Sequence, residues 1–229
     1  MNIKVISTNV GRALLVSALF MFLSVLISIA DGMDSAFASL SISCIITFIV
    51  GSFPFIFVKK SEAISLKDGF LIIVLSWVLS FIFGMLPYVL WGGEFSLINA
   101  WFESVSGYTT TGATILTEVE SLPRSLIFWR SSTHFIGGLG VVVFLLLIMP
   151  NASPFRLRLT NIELSSLTKE GYRFRSVRTV YVIVSVYVGL VLVESVLLMI
   201  AGMTPFDAVN HAFSTVSTGG FSTKNNSIA

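Results

Sequence analysis

Residues 36–58 run for 23 positions without a charge, enough for a helix rising about 1.5 Å per residue to cross a hydrocarbon core of about 30 Å. Four more such runs share the 229-residue chain: 13–30 and 69–93 are also charge-free, 126–150 is interrupted by Arg130 and His134, and 179–201 only by Glu194. A segment crossing a bilayer must satisfy its own backbone N–H and C=O groups, which leaves helices and closed barrels. Runs of 18 to 25 residues have the length of helices. Composition agrees: 55% of residues are hydrophobic and 11% charged, against about 25% charged in a soluble domain. The chain reads as an all-α, polytopic membrane protein.

The first run has Lys4 and Arg12 ahead of it and Ala36-Phe37-Ala38 behind it, an arrangement that imitates a secretory signal peptide. Its apolar part exceeds the usual length of about 7–15 residues, so it is read as the first arm of a transmembrane hairpin over 1–60. The second arm carries Pro54 near its end and Cys44 midway. As the one cysteine, Cys44 cannot form an intrachain disulfide and reads as a small packed residue.

Orientation follows from the basic residues. Eleven of the fourteen Lys and Arg fall in alternate connections: Lys4 and Arg12, then Lys59, Lys60 and Lys67, then six within the loop 151–178. The positive-inside rule makes that side, with the N-terminus, cytoplasmic. These loops also account for the net charge of +2, and no nucleic-acid-binding signature accompanies it. The protein is thus expected to be multi-pass in a plasma or inner membrane, with lipid as its surroundings.

Between the third and fourth runs lies Glu103-Ser-Val-Ser-Gly-Tyr-Thr-Thr-Thr-Gly-Ala-Thr114. Non-helical backbone at membrane depth persists only where protein buries it or it lines water. The connection leaves and returns on the outer side, and 95–108 has the residues of a packed helix. About 13 residues reach roughly 20 Å, part-way through the core. This predicts a re-entrant pore helix whose C-terminal partial negative charge favours a cation at the membrane centre.

A shift of 108 residues sets Ala100 on Ala208, Ser106 on Ser214, Thr110 on Thr218 and Gly112 on Gly220, and places the run 69–93 on 177–201. The unit reads as helix, re-entrant pore loop, helix, in a first repeat over 61–150 and a second over 179–229 that stops after its pore loop, with 151–178 a basic cytoplasmic loop between them. Backbone carbonyls aimed at one axis can replace the hydration shell of a monovalent cation, and glycine permits the angles and close approach this needs. Thr110, Thr111, Gly112 and Ala113, with Thr218, Gly219 and Gly220, are the candidate ion-contacting positions.

These strings, with Gly137-Gly-Leu-Gly140 and Gly219-Gly-Phe-Ser222, resemble the Trk/Ktr/HKT superfamily of potassium uptake proteins. The resemblance implies a potassium-channel-like fold of four such repeats around one pore, with a filter glycine in each, matched here by Gly112 and Gly220. The N-terminal hairpin is similar to the Trk branch. Gly112, where sodium-transporting plant relatives have serine, implies potassium. Two repeats make only half of such a ring, so the chain is expected to be the N-terminal half of a longer protein. The resemblance further implies a homodimer, and a cytosolic nucleotide-binding regulatory subunit for which the loop 151–178 offers a face. It implies no cofactor beyond the transported ion.

Other residues admit two readings. Gly137-Gly138-Leu139-Gly140 is either close packing or a hinge in the fourth helix. Arg130 and His134, one helical turn apart, either line an outer vestibule or are an interfacial arginine with a histidine held by a carbonyl. Glu103 either concentrates cations at the mouth or bonds the backbone behind the filter. Glu194 near the outer end of its run reads as structural. No nucleophile–base pair or paired-carboxylate motif occurs, and Gly107-Tyr-Thr-Thr-Thr-Gly112 lacks the lysine of a phosphate loop, so an enzyme is not expected. Two alternatives remain, an ion-coupled secondary transporter and a non-conducting membrane assembly subunit.

Overall fold

The computed structural model describes residues 2–57, 66–148 and 166–227. The basic residues Lys59, Lys60, Arg156 and Arg158 lie outside these. Helices make up the fold, and no strand occurs among the described residues. Four helical stretches, Ile3–Ala30, Phe37–Phe57, Lys67–Trp91 and Val180–Ile200, are long and apolar enough to cross a membrane.

Helix α1 (Ile3–Ala30) starts ten residues before its charge-free run. Lys4 and Arg12 are good helix formers and keep their charges exposed. Its buried positions Val10, Leu14, Ala18, Met21, Val25 and Ser28 recur every three or four residues, forming one face. That face packs on α2 (Phe37–Phe57) through Leu40, Ser43 and Thr47. Buried hydroxyls in this hairpin bond back to their own helices, Ser24 to the Phe20 carbonyl, Ser43 to Ser39 and Thr47 to Ser43. The polar atoms thereby cost little in an apolar setting. Cys44 is half-buried with its thiol toward the Ala18 carbonyl.

The third run does not form one uninterrupted helix. It divides into α3 (Leu66–Gly84) and α4 (Leu86–Trp91) at Met85. Pro87 at the start of α4 has no N–H to offer the preceding turn, and the indole N–H of Trp129 donates to the Gly84 carbonyl exposed at the break. Helix α5 (Leu97–Tyr108) is the short helix expected before the polar stretch. At 12 residues it is about 18 Å long.

Helix α6 (Arg124–Ile148) returns through the molecule. It stays helical across Gly137, Gly138 and Gly140, so the glycine string marks contact rather than a bend. A Cβ on Gly137 would collide with the Tyr108 carbonyl at the end of α5, and one on Gly138 with the Tyr187 hydroxyl and Ser217. Gly137→Ala is expected to destabilise the folded protein by about 1–3 kcal/mol through overpacking, read as a lower melting temperature in detergent. An unchanged melting temperature would contradict this close approach.

Helix α7 (Ser166–Ile200) begins thirteen residues before its apolar run, because the basic segment ahead contains no proline and continues the helix. Helix α8 (Pro205–Val216) follows a four-residue connection and has proline at its first position, where a missing N–H costs nothing. Polar contacts at several levels fix the hairpin to the rest, beginning with the Asn2 N–H, which donates to the Asp68 carboxylate. Asp34 accepts from Ser28 and from the Ser125 hydroxyl at the start of α6, and the Tyr108 hydroxyl bonds Ser17 at 2.8 Å.

Candidate functional site

Helices α5 and α8 are offset by 108 residues at both ends, the shift found in the sequence. Each is capped alike: the Ser96 hydroxyl accepts from Asn99 N–H, and the Thr204 hydroxyl from Asp207 N–H. Both end alike as well. Thr110 N–H donates to Gly107 O and Thr218 N–H to Thr215 O, while Thr111 N–H donates to Ser106 O and Gly219 N–H to Ser214 O. Thr110 has φ +56° and Thr218 φ +57°, a conformation that costs an L-residue about 1–2 kcal/mol. Such strain, repeated at matching positions, is retained only where the surroundings over-determine it.

The two roles expected of glycine, unusual backbone angles and close approach, fall on different residues. Gly112, at φ +76°, uses a backbone conformation that side chains disfavour. Gly219 and Gly220 do not have positive φ; they are sites of close approach. A Cβ on Gly219 would overlap the His134 ring, and one on Gly112 would lie 2.6 Å from both Cα and N of Gly220. The two polar segments thus lie backbone against backbone. Thr111, Ala113, Thr218 and Gly220 are exposed, and Thr110, Gly112 and Gly219 half-buried. The Ala113 carbonyl accepts from the Ser106 hydroxyl, so one of the candidate carbonyls also braces the loop. The Thr109 hydroxyl donates to Val105 O and pairs with Thr111.

Behind the first segment Glu103 is fully buried. It accepts from the Thr114 hydroxyl and Ile115 N–H and pairs with Arg130, whose Nε lies 2.6 Å from Oε1. It braces the loop and does not face the mouth. Arg130 and His134 are buried too, at 1% and 0% exposure, so neither lines a vestibule nor snorkels. His134 Nδ1 meets the Ser214 hydroxyl at 3.2 Å rather than a carbonyl. Glu194 is half-buried on α7.

In the sequence Phe221 stood only at the end of the second polar stretch, and its packing role was missed. Its ring lies between the Arg130 guanidinium, 3.6 Å from the centroid, and the His134 imidazole, stacked at 4.1 Å. Sequence reasoning also missed the Arg130 bond to the Ser222 carbonyl at 3.1 Å. The one-turn spacing of Arg130 and His134 was the available signal; what they share is a residue 87 positions beyond His134.

Known proteins match this arrangement. The potassium uptake protein TrkH of Vibrio parahaemolyticus is 36% identical over 129 residues, 56% of this chain and 27% of that protein. TrkG of Escherichia coli is 40% identical over 137 residues, 58% of this chain and 28% of that protein. The crystal structure of the potassium transporter TrkH from V. parahaemolyticus superposes with a TM-score of 0.80 at 29% identity, covering 98% of this chain and 45% of that one. The chain thus spans less than half the length of these relatives. The family described as "TrkH: Cation transport protein" matches residues 36–229, most of the sequence, and the chain belongs to that family.

Proposed function

We propose that this chain supplies two adjoining quarters of a potassium-selective filter, through which potassium enters the cell across a plasma or inner membrane. Carbonyls of Thr110, Thr111, Gly112 and Ala113 and of Thr218, Gly219 and Gly220 contact the ion in this reading. The observation that carries it is the pair of twelve-residue helices, α5 and α8, each followed two residues past its end by a threonine near φ +57°. Their C-terminal dipoles favour a cation where the two segments meet. Similarity to proteins named for potassium uptake supports the choice of ion.

In this reading 61–150 and 179–229 are repeats of one unit, 1–60 is an accessory hairpin, and the basic residues hold the N-terminus and 151–178 in the cytoplasm. The remaining quarters come from a continuation of the chain, the assembly is a homodimer, and a cytosolic nucleotide-binding subunit regulates it. The function is transport, not enzymatic turnover.

The test is growth of a potassium-uptake-deficient bacterium on limiting potassium, rescued by the complete open reading frame that encodes this chain. Rescue is expected. Absence of rescue with the protein confirmed in the membrane would favour a non-conducting assembly subunit.

A further inference from the structure

We infer that Arg130 is a positioning residue that couples the two filter segments, so that ion selectivity depends on a side chain that touches neither ion nor pore axis. The inference rests on the filter reading above. Arg130 belongs to α6, the closing helix of the first unit, yet its guanidinium divides its contacts between both segments. Nε bonds Glu103, which holds the Thr114 hydroxyl and Ile115 N–H directly after the first segment. Nη1 donates to the Ser222 carbonyl, and the guanidinium plane covers the Phe221 ring directly after the second.

His134 completes the arrangement one turn along α6. Its imidazole stacks on the opposite face of Phe221, meets Ser214 of α8 through Nδ1, and occupies the space that a Cβ on Gly219 would need. Phe221 is therefore clamped between two side chains of the other unit, at 2% exposure. A carbonyl ring discriminates between ions by the number and placement of its oxygens. Neighbouring segments that meet as closely as Gly112 and Gly220 cannot shift independently. Arginine suits this junction because its planar fork can donate in two directions while stacking on an aromatic face; lysine offers a point charge with no such face.

The test is the ratio of rubidium to sodium flux in proteoliposomes of the full-length protein. The variants are Arg130→Lys, Phe221→Leu, Glu103→Gln and the Glu103→Gln/Phe221→Leu double variant, each checked for monodispersity. Arg130→Lys keeps a charge beside Glu103 but loses the second donor and the stacked plane, and Phe221→Leu leaves the ion pair in place. Both are expected to lower the ratio by about tenfold, equivalent to about 1.4 kcal/mol of discrimination. Glu103 and Phe221 both touch Arg130, so their combined effect is expected to fall short of the product of the single effects, as for residues sharing a partner. Monodisperse Arg130→Lys and Phe221→Leu proteins that retain the wild-type ratio would overturn the coupling, as would independent effects in the double variant. A wild-type protein that does not favour rubidium would instead overturn the filter reading itself.

Discussion

Gly112→Ser is expected to reduce potassium uptake by about 30- to 100-fold, which corresponds to roughly 2–3 kcal/mol. Two independent terms add at this position. At φ +76° an L-residue is strained by about 1–2 kcal/mol. The new Cβ would also stand 2.6 Å from Gly220 Cα and N, backbone atoms of the neighbouring segment that cannot turn away as a side chain would. Relief requires the two segments to part. The reverse substitution differs: a Cβ on Gly220 meets the Gly112 Cα at 3.3 Å, and Gly220 has no positive φ. Gly220→Ala is therefore expected to retain much more uptake than Gly112→Ala, although the sequence presents the two glycines as equivalents. Initial rates of rubidium uptake in cells, normalised to membrane expression, check both. Equal loss at the two positions would contradict the asymmetry.

Glu103→Ala is expected to be the most damaging substitution for stability. Arg130 is 1% exposed, and removing its carboxylate partner leaves a buried charge uncompensated, a change that costs about 3–5 kcal/mol. The Thr114 hydroxyl and Ile115 N–H lose their acceptor in the same step. Replacing both partners with apolar residues, as in Glu103→Leu/Arg130→Met, removes the orphaned charge and is expected to recover most of the folded protein, because apolar replacement of a buried pair is often close to neutral. Thermal melting followed by size-exclusion chromatography distinguishes these outcomes. A Glu103→Ala protein that melts with the wild type would mean that Arg130 finds another partner.

The sequence was most legible where the membrane imposes its rule. Charge-free runs located the long helices, the first short helix was expected over 95–108 and runs from Leu97 to Tyr108, and the 108-residue shift relates it to α8, because the two share their capping chemistry at Ser96 and Thr204. Helix ends were less legible. Lys4, Arg12 and the basic residues before Thr179 broke the apolar pattern without breaking the helix, since hydropathy reports the solvent and not the backbone. The division at Met85 was hidden in an apolar run where Pro87 was the signal to weigh.

The site was legible as a location and not as a mechanism of support. Thr110, Gly112, Thr218 and Gly220 follow from the repeat. The left-handed conformation of the two threonines does not, because threonine is not a residue that pattern reasoning places there. Nor does the contact of Arg130 and His134 with Phe221, which depends on how α6 packs against a segment far along the chain.

The proposed contact of the 110–113 and 218–220 carbonyls with the permeating ion is open to direct observation. Its most direct test is anomalous diffraction from crystals of the full-length protein soaked in thallium or rubidium. Anomalous density is expected within coordinating distance of the Thr110, Gly112 and Thr218 carbonyl oxygens, weakened in Gly112→Ser crystals. Ion density found elsewhere in the molecule, with none beside these two segments, would contradict it.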